Sequence, residues 1–193
     1  MTEDEALKLT NRVWLLRDLK KQCEATVAER VDRYLRIGHQ LIVANTPFAG
    51  ASAECVGLFR DGHFYGCISL SQAVGEALVR HMCRSNKWKP AENFEENVAT
   101  LQRRGFIDDV IEAAFLLLWR GRDDYHHLNG NVATERAELE QLGLTKVRAL
   151  GTIEAWVFEF SQGENGLILC RPQYWPNDGT SQPNAFLRID PAV

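Results

Sequence analysis

Val110-Ile111-Glu112-Ala113-Ala114-Phe115-Leu116-Leu117-Leu118-Trp119 contains the longest apolar run of the chain, and Arg120-Gly121-Arg122-Asp123-Asp124-Tyr125-His126-His127 follows it directly. The first stretch reads as a buried helix, because a segment apolar on nearly every side has to be enclosed by other elements. The second places two arginines, two aspartates, a tyrosine and two adjacent histidines at the end of that helix. Cations and imidazoles are favoured at a helix C-terminus by the helix dipole. A departure from packing logic on this scale also marks a site. The fold and the function are both read outward from this junction.

Upstream of the junction, Asp108 is an N-cap for the apolar helix and Gly105 a left-handed C-terminal cap for the helix before it, over residues 94–103. Phe94, Val98 and Leu101 make the buried face of that shorter helix. Residues 3–44 read as helix, one or two broken near residues 23–26, with Val13, Leu16, Leu19, Val27, Val31 and Leu35 at helical spacing. Pro47 and Gly50 break it, Ser52 caps the next helix over 53–84, and Asp61-Gly62 kinks or splits that one. Downstream, Asn129-Gly130-Asn131 interrupts the chain, and a helix runs from near Thr134 to Phe160.

Past residue 161 the pattern changes. Residues 166–170 and 185–189 are strand-like runs around a turn-rich loop containing Pro172, Pro176, Asn177-Asp178-Gly179 and Pro183. The expected architecture is all-α: a bundle of four to five main helices over residues 1–160, with residues 161–193 as a β-hairpin-like tail packed on it. A two-stranded ribbon is not stable alone, so it needs the helices behind it.

The 193 residues suit one domain or one with a small appendage, and 45% hydrophobic with 25% charged content excludes disorder for most of the chain. A net charge of -4 argues against broad electrostatic binding to nucleic acid or membrane, while leaving room for a local basic site. Met1-Thr2-Glu3-Asp4-Glu5 has none of the character of a signal peptide, and no apolar run approaches the ~20 residues of a membrane span. Cys23, Cys55, Cys67, Cys83 and Cys170 are widely spaced with no CxxC, the pattern of reduced structural thiols in a cytoplasmic protein. No metal-ligand spacing, phosphate-cradling glycine loop or nucleophile elbow is present, so no cofactor or metal is expected.

At about 100° per residue, Arg122 and His126 fall on one helix face, and Arg122 to His127 spans about 140°. On a continuous helix Arg120 and His127 would also share a face. Asp123 and Asp124 can orient a guanidinium or an imidazole. Tyr125 follows the apolar seam of Ile111 and Leu118, which makes packing its first role and substrate contact its second. This set suits metal-free attack on a phosphodiester: an imidazole moves a proton, and an arginine clamps the phosphate. With RNA as substrate the 2′-hydroxyl is the nucleophile. A second basic group, Arg80, His81, Arg84, Lys87, Lys89, Arg103 and Arg104 around Trp88, reads as a strand-guiding patch or as a solvated face with the indole tucked in. His39 and His63 read as helix and loop residues, and Tyr174-Trp175 as a packing anchor.

Arg122-Asp123-Asp124-Tyr125-His126-His127 resembles the R-x(4–6)-H motif of HEPN domains, including a polar residue after the arginine. The runs from Phe59 to Ile68 and from Phe94 to Ile107 resemble the helices that precede that motif, so the likeness covers about residues 53–160. It implies a short bundle of four or five helices and a metal-independent endoribonuclease, often a toxin or antiviral effector, that leaves a cyclic phosphate. It also implies a composite site across a homodimer, with RNA as ligand and a cognate antitoxin or other protein as partner. Arg122 and His127 would be the catalytic pair, with Asp123 their companion and His126 a second imidazole; Arg120, Tyr125, Arg84 and Lys87 would contact substrate. The family often has Asn where this chain has Asp123. Some members have lost catalysis and serve as binding modules.

Overall fold

A computed structural model describes residues 3–38, 40–164, 166–176 and 183–188. His39 and the Asn177-Asp178-Gly179 turn lie outside them. The chain is mostly helical, in the order α1 (Glu3–Ile37), β1 (Ile42–Ala44), α2 (Ala49–Arg60), α3 (Phe64–Ser85), α4 (Phe94–Arg103), α5 (Asp109–Trp119), α6 (Arg122–His127), α7 (Arg136–Val157), β2 (Phe160–Gly163), β3 (Gly166–Leu169) and β4 (Ala185–Leu187). Among the described residues six helices have ten residues or more, against the four to five expected. The difference arises at Asp61-Gly62, where Gly62 has φ 79° and divides residues 49–85 into α2 and α3.

Local signals place α4 and α5. Asn93 accepts from the Glu96 backbone N–H to start α4, and Asp108 accepts from that of Ile111 to start α5, each at 2.9 Å. Gly105, at φ 74°, closes α4 with the Phe106 N–H donating to the Leu101 carbonyl. Other boundaries move. The helix α1 is unbroken and stops at Ile37, α2 begins at Ala49, and Ser52 is a buried residue inside it rather than its cap. The helix α7 begins at Arg136, and Phe160 already belongs to β2.

The core lies among α2, α3, α5 and α7, with α4 along one side. Phe59, Leu78, Met82, Leu101, Phe115, Leu118, Leu150 and Ile153 are nearly inaccessible. Each contributes about 1.5–3 kcal/mol by leaving water. The helices α3 and α5 meet at Gly75, where a Cβ would lie 2.3 Å from Cδ2 of Leu118. Close packing there fixes how nearly α5 approaches α3.

The expected β-hairpin tail is corrected. The strands β3 and β4 do not pair with each other: β3 pairs antiparallel with β2 (Phe160 opposite Leu169), and β4 pairs antiparallel with β1 (Ile42 opposite Leu187). Arg188, just past β4, explains the second pairing. Its guanidinium reaches Glu154 of α7 at 2.6 Å, the Oγ of Ser52 in α2, and the Gln40 carbonyl at 2.9 Å. Arg188 and Glu154 are both buried. Tyr174 and Trp175 are buried as well, with Trp175 edge-on to Phe158 and Phe160. No helix among the described residues is long and apolar enough to cross a membrane.

Candidate functional site

The apolar helix does not run on into the polar cluster. The helix α5 stops at Trp119, Arg120 leaves helical geometry (φ -50°, ψ 129°), and Gly121 takes a left-handed conformation (φ 72°) from which α6 starts. A Cβ at Gly121 would meet no crowding, yet an L side chain in that conformation costs about 1–2 kcal/mol, so glycine is favoured there. The break puts Arg120 outside the helix that carries Arg122 and His127, so the shared face expected for Arg120 and His127 is lost.

A buried lysine holds the break in place. Lys146 of α7 is 1% exposed, and its Nζ donates to the carbonyls of Leu117 (2.7 Å), Leu118 (3.0 Å) and Arg120 (2.6 Å). These carbonyls have no partner within the helix, so the ammonium caps α5. Burial, and secondarily the charge of Arg120, lowers the Lys146 pKa to about 8. Gln72 of α3 adds a 3.4 Å contact to the Arg120 carbonyl.

Beyond the break, Tyr125 anchors α6. Its ring is 8% exposed and lies 6.2 Å from that of Tyr65 in α3. The two hydroxyls hold one residue on both sides: Tyr65 donates to the Ala133 carbonyl at 2.7 Å, and Tyr125 accepts from the Ala133 N–H at 3.3 Å. The Asn129 N–H donates to the Asp124 carbonyl, and Leu128 closes α6 at φ 51°. An inward tyrosine and a pinned following loop leave the opposite side of α6 to solvent.

Asp123, His126 and His127 are exposed on α6, and Arg122 is half-buried beside Trp119. Arg122 donates to Asp123 at 2.9 Å, and its guanidinium lies 5.3 Å from the ring centre of Trp119, which itself stacks on Phe94 at 4.1 Å. Among the described residues the buried Nε of Arg122 has no hydrogen-bond partner. The hydrogen bond from Arg122, helped by the charges of Arg122 and both histidines, holds the Asp123 carboxyl below the usual carboxylate range. The His126 pKa is lowered, first by partial burial and then by Arg122 and His127, while the Ser69 backbone and Glu76 of α3 act the other way. The result is a guanidinium and an imidazole one helical turn apart, with the imidazole biased toward its neutral form.

Arg84 and Lys87 lie elsewhere. The helix α6 faces the part of α3 around Tyr65, Ser69 and Gln72, whereas Arg84 is in the last turn of α3, about 22 Å along the axis from Ser69. Lys87 follows that end at φ 60°. The basic patch there is partly neutralised, because Arg80 pairs with Glu76 at 2.5 Å. Trp88 is half-buried, with the Arg104 guanidinium 5.0 Å from its ring centre. His81 bonds the Tyr174 carbonyl at 2.9 Å. Sequence reasoning missed Lys146, since a lysine flanked by apolar positions looks like an interruption of the seam; only the end of α5 above it reveals its role.

Comparison with protein families, characterised proteins and solved structures finds no match to this chain.

Proposed function

We propose that the protein is a metal-independent endoribonuclease of HEPN type, acting at Arg122, Asp123, His126 and His127. The observation that carries the reading is the mounting of these four groups. They sit on one short solvent-facing helix whose backbone is tied down by Tyr125, Ala133 and the Lys146 cap. Rigid support with exposed titratable groups is what proton transfer at a bound phosphodiester requires.

In this reading Arg122 clamps the scissile phosphate. Its Nη1, now on Asp123, is the donor that a phosphate oxygen would take over. One imidazole takes the proton of the RNA 2′-hydroxyl as that oxygen attacks phosphorus. The P–O5′ bond breaks, and the other imidazole protonates the leaving oxygen. The products are a 2′,3′-cyclic phosphate and a free 5′-hydroxyl. His126, held toward its neutral form, suits the proton-accepting role, and His127 the complementary one. A second copy supplying a second set across a composite site, and a toxin or defence role with a cognate partner, belong to the same proposal.

A specific feature favours a second reading, a helical module that binds protein or RNA without cleaving it. Asp123 stands where many members of that family carry Asn, and its carboxylate occupies Arg122. The two readings separate in one experiment. RNA incubated with the protein in EDTA should be cut to cyclic-phosphate ends, with activity abolished in Arg122→Ala and in His127→Ala and reduced in His126→Ala. Equal cleavage by wild type and the Arg122 and His127 variants overturns the nuclease assignment; binding without cleavage supports the second reading.

A further inference from the structure

A cavity of about 380 Å³ lies between the start of α3 and the start of α7, lined by His63, Phe64, Tyr65, Thr134, Arg136 and Leu139 around Gly62. Sites for small ligands span about 300–1,000 Å³, so the space is sufficient for one. None of its lining residues is acidic.

Arg136 is the cation of this cavity, and among the described residues no carboxylate pairs with it. The acidic neighbours are engaged elsewhere. Asp61, next to Gly62, is held by Arg30 and Arg60 at 2.8 Å each, and Glu140, next to Leu139, by Arg33 at 3.4 Å and Arg36 at 2.5 Å. Glu135 and Glu138, beside the start of α7, do not line the cavity. What holds the Arg136 guanidinium is the buried ring of Phe64, 5.1 Å away at its centre. The guanidinium of Arg33 lies 5.4 Å from the same ring centre.

Gly62 makes room for both cations. A Cβ there would fall 2.6 Å from Nη2 of Arg136 and 3.3 Å from Nη1 of Arg33. Two guanidiniums crowding one glycine and one ring repel each other, and an anion beside Arg136 offsets that repulsion. The remaining wall is aromatic and apolar. His63 and Tyr65 present exposed rings, while Phe64 and Leu139 form a buried floor. The Tyr65 hydroxyl is already given to the Ala133 carbonyl, which leaves its ring for a ligand. An exposed aromatic ring is a stacking surface for a base.

We infer that this cavity binds a phosphate ester carrying an aromatic ring, the chemistry of a nucleoside monophosphate, with Arg136 on the phosphate. No lining residue belongs to the Arg122 cluster, so the site stands apart from the ribonuclease reading, and its test reads binding rather than cleavage.

Titration calorimetry is performed on the full chain carrying Arg122→Ala, which removes the other phosphate clamp. Adenosine 5′-monophosphate should bind, with adenosine at least about tenfold weaker, and adding Arg136→Gln should weaken the monophosphate at least about tenfold. Arg136 is exposed, so the urea midpoint of that variant should stay within a small shift of its parent and separate a lost site from a lost fold. No binding of the monophosphate, equal binding of adenosine, or an affinity indifferent to Arg136→Gln would each overturn the assignment. A short oligoribonucleotide separates the two sources of such a phosphate. Tighter binding than the monophosphate, lost with Arg136→Gln, upholds the site as one for a nucleotide within a strand; no gain over the monophosphate upholds it as one for the free nucleotide.

Discussion

Two arginine–carboxylate pairs of similar length do opposite things in this molecule. Arg188 and Glu154 meet at 2.6 Å with side chains 4% and 2% exposed, while Arg122 and Asp123 meet at 2.9 Å with 33% and 76% exposed. The buried pair has no water to fall back on, so losing either partner strands a charge in the core. The outer pair is screened by solvent and holds little of the fold together. Burial decides which arginine is structural and which is free to exchange its carboxylate for a ligand.

The contrast breaks most visibly at Arg188. Arg188→Met should lower stability by about 3–5 kcal/mol, read as a drop in urea midpoint, because Glu154 keeps its charge and loses its counterion. Arg188→Met with Glu154→Leu should recover much of that loss; no recovery would show that shape rather than charge fixes β4. Arg122→Ala should leave the midpoint where it is and abolish RNA cleavage.

The next largest effects come from the junction that presents Arg122. Gly75→Ala forces a methyl onto Leu118 and should cost about 1–3 kcal/mol. Gly121→Ala should cost about 1–2 kcal/mol through its left-handed backbone, with cleavage falling alongside stability because α6 starts there.

Two pH effects are smaller and more specific. Lys146 titrates near 8 in the folded chain against 10.5 unfolded, so between those values the unfolded state holds more protons. Wild-type stability should therefore rise with pH across that window relative to Lys146→Met, and parallel curves would contradict it. His126 must be neutral to accept a proton, so cleavage should decline as pH drops through a value below 6.5. Removing Arg122's positive charge by Arg122→Gln should move that limb upward in whatever cleavage remains.

Legibility in the sequence followed the range of the interactions. Asp108, Asn93 and Gly105 act on backbone atoms within a few residues, and the Arg122–His127 cluster lies within one short segment. Composition and spacing therefore exposed α4, the start of α5 and the candidate site. The pairing of β4 with β1 rests on Arg188 meeting Ser52 and Glu154, and the end of α5 rests on Lys146. Partners that far apart leave no periodicity to read. The Arg120-Gly121 break is a different case: glycine was visible there, but whether it ends a helix or rides inside one depends on what receives the freed carbonyls.

The junction of β1 and β4 also orders events as the chain is made. Ile42 opposite Leu187 joins positions nearly the whole chain apart, and Arg188 completes the polar core contacts of Ser52 and Glu154. During synthesis α2 and α7 are finished before Arg188 leaves the ribosome, at about 5–20 residues per second. Until then Glu154 cannot close into a dry core with its charge intact. Final closure of the core around Glu154 should therefore wait for the segment around residue 188, a contact whose long loop closure makes it slow to form.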